Sequence, residues 1–449
     1  MTTRDLTLEF HGGVGEVTGA CYLLRSGKTS ILIDCGMFQG SHFFENKNFD
    51  PFKFDVTEID ALFVTHAHMD HIGRIPKLIK DGFKGRIYST PETKELSALL
   101  LEDGLNFMKE PNVLYREKDI ERALAHWDVI PYHEPVTVGG ASVVLRNSGH
   151  ILGSAMAHII LEGKNILFTG DFGNTPSVLL PPPEPMPQGI EYLIIESTYG
   201  NKVHPQEGAR AVQLERALED TFTRGGTLMI PSFASERTQD ILYELNDMVT
   251  HNRVPHMPVY VDSPLATRIT EVFRAHTDAY NESVQEMMKK DPHIFDFKGL
   301  MFTTTVDESK AINDVKPPKV VVAGSGSSSG GRIIHHERRY LQDPGSILLI
   351  VGYQPAGSLG RRLLDGAKEA TIKGETIPVR AEIRKISGYS AHADGPQLYS
   401  FIEKGKDGLK KIFVVQGEDE AAGQLAQDVK DRLGVSAVTP ALYETFELS

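Results

Sequence analysis

Cysteine and tryptophan are scarce in this chain of 449 residues, which has two cysteines, Cys21 and Cys35, and one tryptophan. Two cysteines cannot build a disulfide framework, and a reducing cytoplasm is the compartment to expect. No apolar run approaches the roughly 20 residues of a membrane-spanning helix, and the opening MTTRDLTLEF is charged where a signal peptide is apolar. Membranes are therefore not an expected partner. Basic charge is short as well: 47 Lys and Arg face 60 Asp and Glu, a formal net charge of −13. Such a balance does not advertise nucleic acid, so a polyanion would have to be held by a local basic or metal-lined cleft. What remains is an ordinary globular composition, 40% hydrophobic and 24% charged, in a length that suggests two or three domains.

The first third reads as short strands joined by Gly-rich turns: 6–10, 19–24, 29–33, 61–65, 136–146, 155–161 and 165–169. One helix is expected over 92–108, where Leu96, Leu99, Leu100 and Leu105 share a face. The Pro-rich stretch 181–187 predicts an irregular segment before a strand at 192–195. From about Val203 the pattern changes. Buried apolar strands at 227–232, 258–263, 319–325 and 346–352 are each followed by helix, which predicts a parallel sheet covered on both faces. Shorter strands resume after Ile377, ending with IFVVQGE and a helix over 419–433.

The strongest chemical signal is LFVTHAHMDHIG at 62–73, where an apolar strand leads into His66, His68, Asp70 and His71. In an extended segment His66 and His68 share a side, while the following turn aims Asp70 and His71 elsewhere, which suits two adjacent metals better than one. Imidazole with carboxylate favours zinc, with iron or manganese as alternatives. His150 and Asp171 follow strands in loops that a rigid sheet could aim at the same point. Asp34, ending TSILIDCG, has the same placement and would orient a metal-binding histidine from behind.

These residues resemble the metallo-β-lactamase superfamily, whose HxHxDH motif is matched by His66 to His71. By that resemblance His66, His68 and His150 hold one zinc, Asp70 and His71 help hold a second, and Asp171 bridges them. The fold implied is α/β, an αββα sandwich. The later motifs IIESTYGN, PSFASERTQDIL, VYVDSPLAT, VVAGSGSSSGGR, LIVGYQPAGSLG and ISGYSAHAD narrow the resemblance to the β-CASP family, in particular the compact bacterial relatives of the eukaryotic pre-mRNA 3′-end endonuclease. The domains implied are 1–202 and 377–449 as the sandwich, with 203–376 as the inserted parallel α/β (β-CASP) domain. Two family motifs fall on Glu196 and His392. The chain departs where family members engaged in RNA processing carry a His that completes the second metal's ligands, for here Gln416 stands before Gly417 and Glu418. A Gln carbonyl is a weaker, harder ligand than imidazole, so a loosely held second metal and lower activity are expected.

The chemistry implied is hydrolysis of single-stranded RNA, endonucleolytic with exonuclease action from the 5′ end as a further mode, through a hydroxide activated by two zinc ions. His392, oriented by Glu196, would protonate the leaving 3′-oxygen. The run 324–339 opens a helix with Gly and Ser, so Ser325, Ser327, Ser328, Gly330, Gly331 and Arg332 are candidates to hold a substrate phosphate. Arg361 and Arg362 read more simply as a solvated helix face. Self-association as a homodimer would supply affinity that no appended RNA-binding segment provides. Two other functions compete: a small-substrate metallohydrolase of thioesterase or lactonase type, against which the α/β insert speaks, and a catalytically degenerate RNA-binding scaffold, for which Gln416 is the argument.

Overall fold

The computed structural model describes residues 6–449 except 28, 41–44, 109, 205–207 and 356. Two compact units result, Met1–Val203 with His392–Ser449, and His204–Ala391. Among the described residues no helix is long and apolar enough to cross a membrane.

The first unit holds two seven-stranded sheets. One runs, edge to edge, 445–447, 7–10, 22–26, 29–33, 61–63, 86–89 and 127–129; the other runs 436–438, 411–415, 192–196, 164–168, 155–161, 141–147 and 135–138. Period-two alternation sorts the strands' side chains. Leu8, Phe10, Tyr22, Leu24, Ile31, Ile33 and Phe63 face inward and meet Val143, Leu145, Ile159, Ile166, Phe168, Ile194 and Phe413 in one buried core between the sheets. Their alternates Leu23, Leu32, Leu62 and Val64 face outward onto Ile75, Leu78, Leu101 and Ile120, and on the other sheet Leu167, Leu193, Ile195 and Val414 meet Leu398, Ile402, Leu425 and Val429 of two C-terminal helices. Both faces of each sheet are therefore dry, giving the four-layer αββα arrangement. Each fully buried aliphatic side chain contributes roughly 1.5–3 kcal/mol.

The second unit is built on a six-stranded sheet ordered 300–302, 259–261, 319–323, 227–231, 347–350 and 382–385, all pairs parallel, with a separate hairpin of 369–372 and 375–378. Parallel strands followed by helices agree with the alternation in the sequence. The unit ends later than Ile377. Glu382–Lys385 pairs with Ile347–Ile350 as an edge of the parallel sheet, and Glu375–Pro378 closes the hairpin, so residues 377–391 belong to the insert. Local expectations were refined in two further places. The stretch 136–146 is two strands, Pro135–Val138 and Ala141–Asn147, turned at Gly139 (φ 55°), and the helix expected to 108 ends at Gly104 before a 3-10 turn. The C-terminal helix Asp419–Leu433 is as read.

Candidate active site

In the first unit, strands that run parallel deliver their C-terminal ends to one edge. Asp34 follows Thr29–Ile33, His66 follows Ala61–Phe63, Asp171 follows Lys164–Phe168, Glu196 ends Tyr192–Glu196, and Gln416 follows Lys411–Val415. His150 lies in the loop after Ala141–Asn147 at the same edge. Strand ends on a rigid scaffold are where side chains can be held to a fraction of an ångström.

The polar atoms converge on Asp171, which is 3% exposed. Its Oδ2 lies 3.4 Å from both His66 Nε2 and His150 Nε2. His68 Nδ1 is 3.1 Å from His66 Nε2 and 3.2 Å from His150 Nε2. The four residues His66, His68, His150 and Asp171 each offer an atom within 4.8 Å of the others, a donor set able to hold a metal ion. Burial lowers the pKa of His68 and His150 well below the ordinary imidazole value, aided by the neighbouring histidines and opposed by Asp171. They stand as neutral rings, the form that ligates metal.

The other oxygen, Asp171 Oδ1, faces a different set: His71 Nε2 at 3.2 Å and the Gln416 amide nitrogen at 2.8 Å. Asp70 Oδ2 is 4.0 Å from His71 Nε2. Behind the ring, His71 Nδ1 is 2.7 Å from Asp34 Oδ2, and Thr65 holds that carboxylate in turn, donating from its N–H to Oδ1 and from its hydroxyl to Oδ2, both at 2.8 Å. Burial would lower the pKa of His71, but Asp171 and Asp34 on either side raise it well above the usual value. The Gln416 amide nitrogen at 2.8 Å from Nε2 argues the other way, because two N–H groups cannot face each other. We therefore read His71 Nε2 as an acceptor, with the proton on Nδ1 facing Asp34. In this arrangement the amide of Gln416 satisfies both Asp171 Oδ1 and His71 Nε2. A half-turn of the amide would present its oxygen instead.

Two of these residues carry backbone strain. Asp34 has φ 58° and Gln416 φ 46°, left-handed values that cost a non-glycine residue on the order of 1–3 kcal/mol. Gln416 is pinned by its N–H to Gly13 O at 2.7 Å, and its carbonyl accepts from Ser197 N and Thr198 Oγ1. Close approach matters at Gly36, where a Cβ would lie 1.5 Å from Asp70 O, so only glycine lets the two loops touch.

A second group adjoins the first. His392 Nδ1 lies 3.0 Å from Glu196 Oε1 and 3.9 Å from Asp171 Oδ2. Glu196 is fully buried and accepts from Phe172 N at 2.7 Å and Thr198 N at 3.2 Å, which fixes its orientation. Burial would lower the pKa of His392, but Glu196 and Asp171 outweigh it and raise it to about 9. The pKa of Asp70 is raised too, by burial first and by Asp171, against the pull of His71 and His66.

The candidate phosphate loop lies in the second unit, and two of its members face inward. Arg332 donates to Asp262 Oδ1 at 2.7 Å and to the carbonyls of Thr303 and Thr304. Ser328, with φ 55°, is buried and its hydroxyl donates to Glu337. Ser325 Oγ accepts from Ser329 N, and the Ser327 and Ser329 hydroxyls meet at 3.0 Å. Arg332 is thus committed within the domain, and the loop offers backbone and the hydroxyls of Ser325, Ser327 and Ser329 more than a free guanidinium. Sequence reasoning passed over Thr65, whose only signal was its place beside His66. A surface cavity of about 530 Å³ lined by Phe49, Phe52, Phe54 and Lys77 lies elsewhere, on the outer helical layer of the first unit.

Residues 14–213 match the metallo-beta-lactamase superfamily, 238–363 the Beta-Casp domain, and 376–440 the Zn-dependent metallo-hydrolase RNA specificity domain. A protein named as a ribonuclease from Thermus thermophilus is 38% identical over 410 residues, covering 91% of this chain and 92% of that one. This chain belongs to the β-CASP family of the metallo-β-lactamase superfamily. An RNase J-like protein from Methanocaldococcus jannaschii is 32% identical over 437 residues, covering 96% of this chain and 97% of that one. The transcription termination factor FttA of the same organism is 34% identical over 442 residues, covering 95% of this chain and 69% of its own length. A crystal structure of a protein of unknown function from Enterococcus faecalis superposes with a TM-score of 0.62 over 99% of this chain and 100% of that one; at 15% identity it speaks for the fold alone. Membership makes the chain a metal-dependent hydrolase, in keeping with the His and Asp donor set.

Proposed function

We propose that this protein is a metal-dependent ribonuclease that hydrolyses phosphodiester bonds of single-stranded RNA, using two zinc ions of which the second is weakly held. The observation that carries the reading is the division of Asp171, with one oxygen toward His66, His68 and His150 and the other toward His71 and Gln416. The first set fits a metal: ring nitrogens of His66, His68 and His150 lie 3.1–3.2 Å apart around His68 Nδ1 with Asp171 Oδ2 alongside, a nitrogen and oxygen donor set of the kind that holds zinc. The second set, Asp70, His71, Asp171 and Gln416, fits a metal less well, because the amide already satisfies its neighbours. When bound, such ions supply Lewis acidity, lowering the pKa of water and neutralising charge on phosphate oxygens.

The chain's own residues do the rest. Glu196 fixes the His392 ring through Nδ1 and raises its pKa, so the ring is protonated at neutral pH. Its other nitrogen can then deliver a proton to the leaving 3′-oxygen. Asp34 and Thr65 hold His71 in one orientation from behind. Residues of the Ser325–Gly331 loop, with Gly330 and Gly331 giving backbone access, would contact a phosphate of the substrate. A second reading, an RNA-binding protein with a silenced centre, is favoured by the hydrogen bonds of Gln416.

Cleavage of an end-labelled single-stranded RNA by the zinc-loaded protein and by its Gln416→His variant separates the two. Cutting by both supports the nuclease, with the variant faster. Cutting by the variant alone makes the present chain a binding protein.

A further inference from the structure

Large aromatic side chains left half in water at the end of a parallel sheet need a reason. In the second unit Phe233 is 50% exposed and Tyr353 is 53% exposed. Phe233 follows strand Thr227–Pro231, and Tyr353 follows the adjacent parallel strand Ile347–Ile350, whose register places Phe233 beside Gly352. Residues after the third neighbouring strand, Lys319–Ala323, bring Gly326 to the other side. Both flanks of the Phe233 ring are thus glycine. A Cβ at Gly326 would come within 2.7 Å of the ring, and one at Gly352 within 3.7 Å. Glycine at 326 lets the Ser/Gly loop backbone pack against one side of the ring, and glycine at 352 leaves room for the Arg237 guanidinium, 3.5 Å from where a Cβ would stand.

The position has a topological meaning. From Thr227–Pro231 the chain crosses toward Val259–Val261 on one side of the sheet, and from Ile347–Ile350 it proceeds to Glu382–Lys385 on the other. Strands whose connections diverge in this way open a crevice at their carboxyl ends, the usual binding place of open α/β sheets. The surroundings are held firmly. Thr238 Oγ1 donates to Phe233 O at 2.6 Å, and Gln354 Nε2 donates to Gly326 O at 2.9 Å and to Gly352 O at 3.3 Å, tying the Ser/Gly loop to the Tyr353 segment. Arg361, in the helix Leu359–Leu364 that follows Tyr353, adds an exposed guanidinium, which ion-pairs with Asp365 at 3.0 Å. An exposed apolar ring, a second exposed aromatic past the end of the adjoining strand, hydroxyls of the Ser/Gly loop and an exposed guanidinium match one ligand chemistry: a base with its adjoining phosphate.

We propose that Phe233 and Tyr353 form a stacking platform for a base of the single-stranded RNA substrate, a subsite that sets affinity and register rather than performing chemistry. The inference rests on the ribonuclease reading above. A single-stranded RNA carrying 2-aminopurine, titrated against the full chain in the presence of a chelator so that no cleavage intervenes, tests it through Kd and fluorescence quenching. Phe233→Ala is expected to weaken binding roughly 5- to 150-fold and to relieve part of the quenching, while Phe233→Trp retains both. Tyr353→Ala is expected to act in the same direction and Tyr353→Phe to bind like the original. In the cleavage assay the Ala variants should raise KM more than they lower kcat. Tight binding by the original protein with unchanged Kd and quenching in Phe233→Ala would overturn the platform and leave the nuclease standing. Failure of the original protein either to bind or to cut RNA would overturn both.

Discussion

Gln416 is the residue on which the chemistry of this chain turns. It sits on a left-handed backbone beside two buried groups and answers both with one amide. Replacing it with His should convert a hydrogen-bonding neighbour into a ligand. The expected outcome is zinc content rising toward two ions per chain at limiting free metal, read by elemental analysis after dialysis. His392→Ala should lower turnover by about 10²–10⁴-fold while leaving metal content unchanged, since the ring's hydrogen-bond partner is Glu196. Equal loss of metal and activity would reassign it. Asp34→Ala removes the acceptor behind His71 and should cost about 10- to 100-fold in affinity for the second metal proposed above. The contiguous run His66 to His71 was legible because its donors lie within six positions. The pairing of His392 with Glu196 is 196 residues apart and became readable only through family resemblance. Thr65 had no signal of its own.

The strand-to-helix segments show which expectations fail and why. Strands buried over all or nearly all of their length, such as Thr29–Ile33 and Ala155–Leu161, announce themselves as apolar runs, and their bounds agree with the sequence reading. The edge strands Leu300–Phe302 and Glu382–Lys385 were missed, because one side is in water and the second is charged, so neither carries the pattern of a buried strand. Arg332 has a structural role that its place in the sequence does not announce. A basic residue at the head of a helix reads as a phosphate ligand, yet its guanidinium meets the fully buried Asp262, which also accepts from Thr303 and Ser309 and faces His336. Arg332→Ala should therefore destabilise the second unit by about 1–3 kcal/mol in urea unfolding, beyond any effect on RNA affinity. The neighbouring Glu337 is raised to about 7 by burial, against the lowering hydrogen bond from Ser328. Its folded pKa exceeds the unfolded value, so its contribution to stability is complete below about pH 4.5 and is lost as pH rises through about 7. Glu337→Gln should remove that share of the slope between about pH 4.5 and 7, seen as a change in the pH dependence of the urea midpoint confined to that window.

For the whole molecule, charge and metal set the terms. A net charge of −13 repels a polyanion at long range, so the field that draws RNA has to be local, from bound metal and a few basic side chains. Metal that binds the folded first unit and not the unfolded chain adds stability by mass action, about 2.7 kcal/mol at one hundred times Kd. Zinc should raise its melting temperature, a chelator should reverse the rise, and His68→Ala should abolish most of it. The division into a sandwich and an insert was visible in the change from alternating strands to buried strand–helix pairs. Its second boundary was set too early because the short pairings of 375–385 leave no compositional mark. The most direct test of the account is cleavage of an end-labelled single-stranded RNA by zinc-loaded protein, with a chelated sample and the His68→Ala variant run beside it. Zinc-dependent fragments from the original protein, absent from both controls, are the predicted result. Intact RNA in the presence of protein shown to contain zinc, or fragments that persist undiminished in His68→Ala, would contradict it.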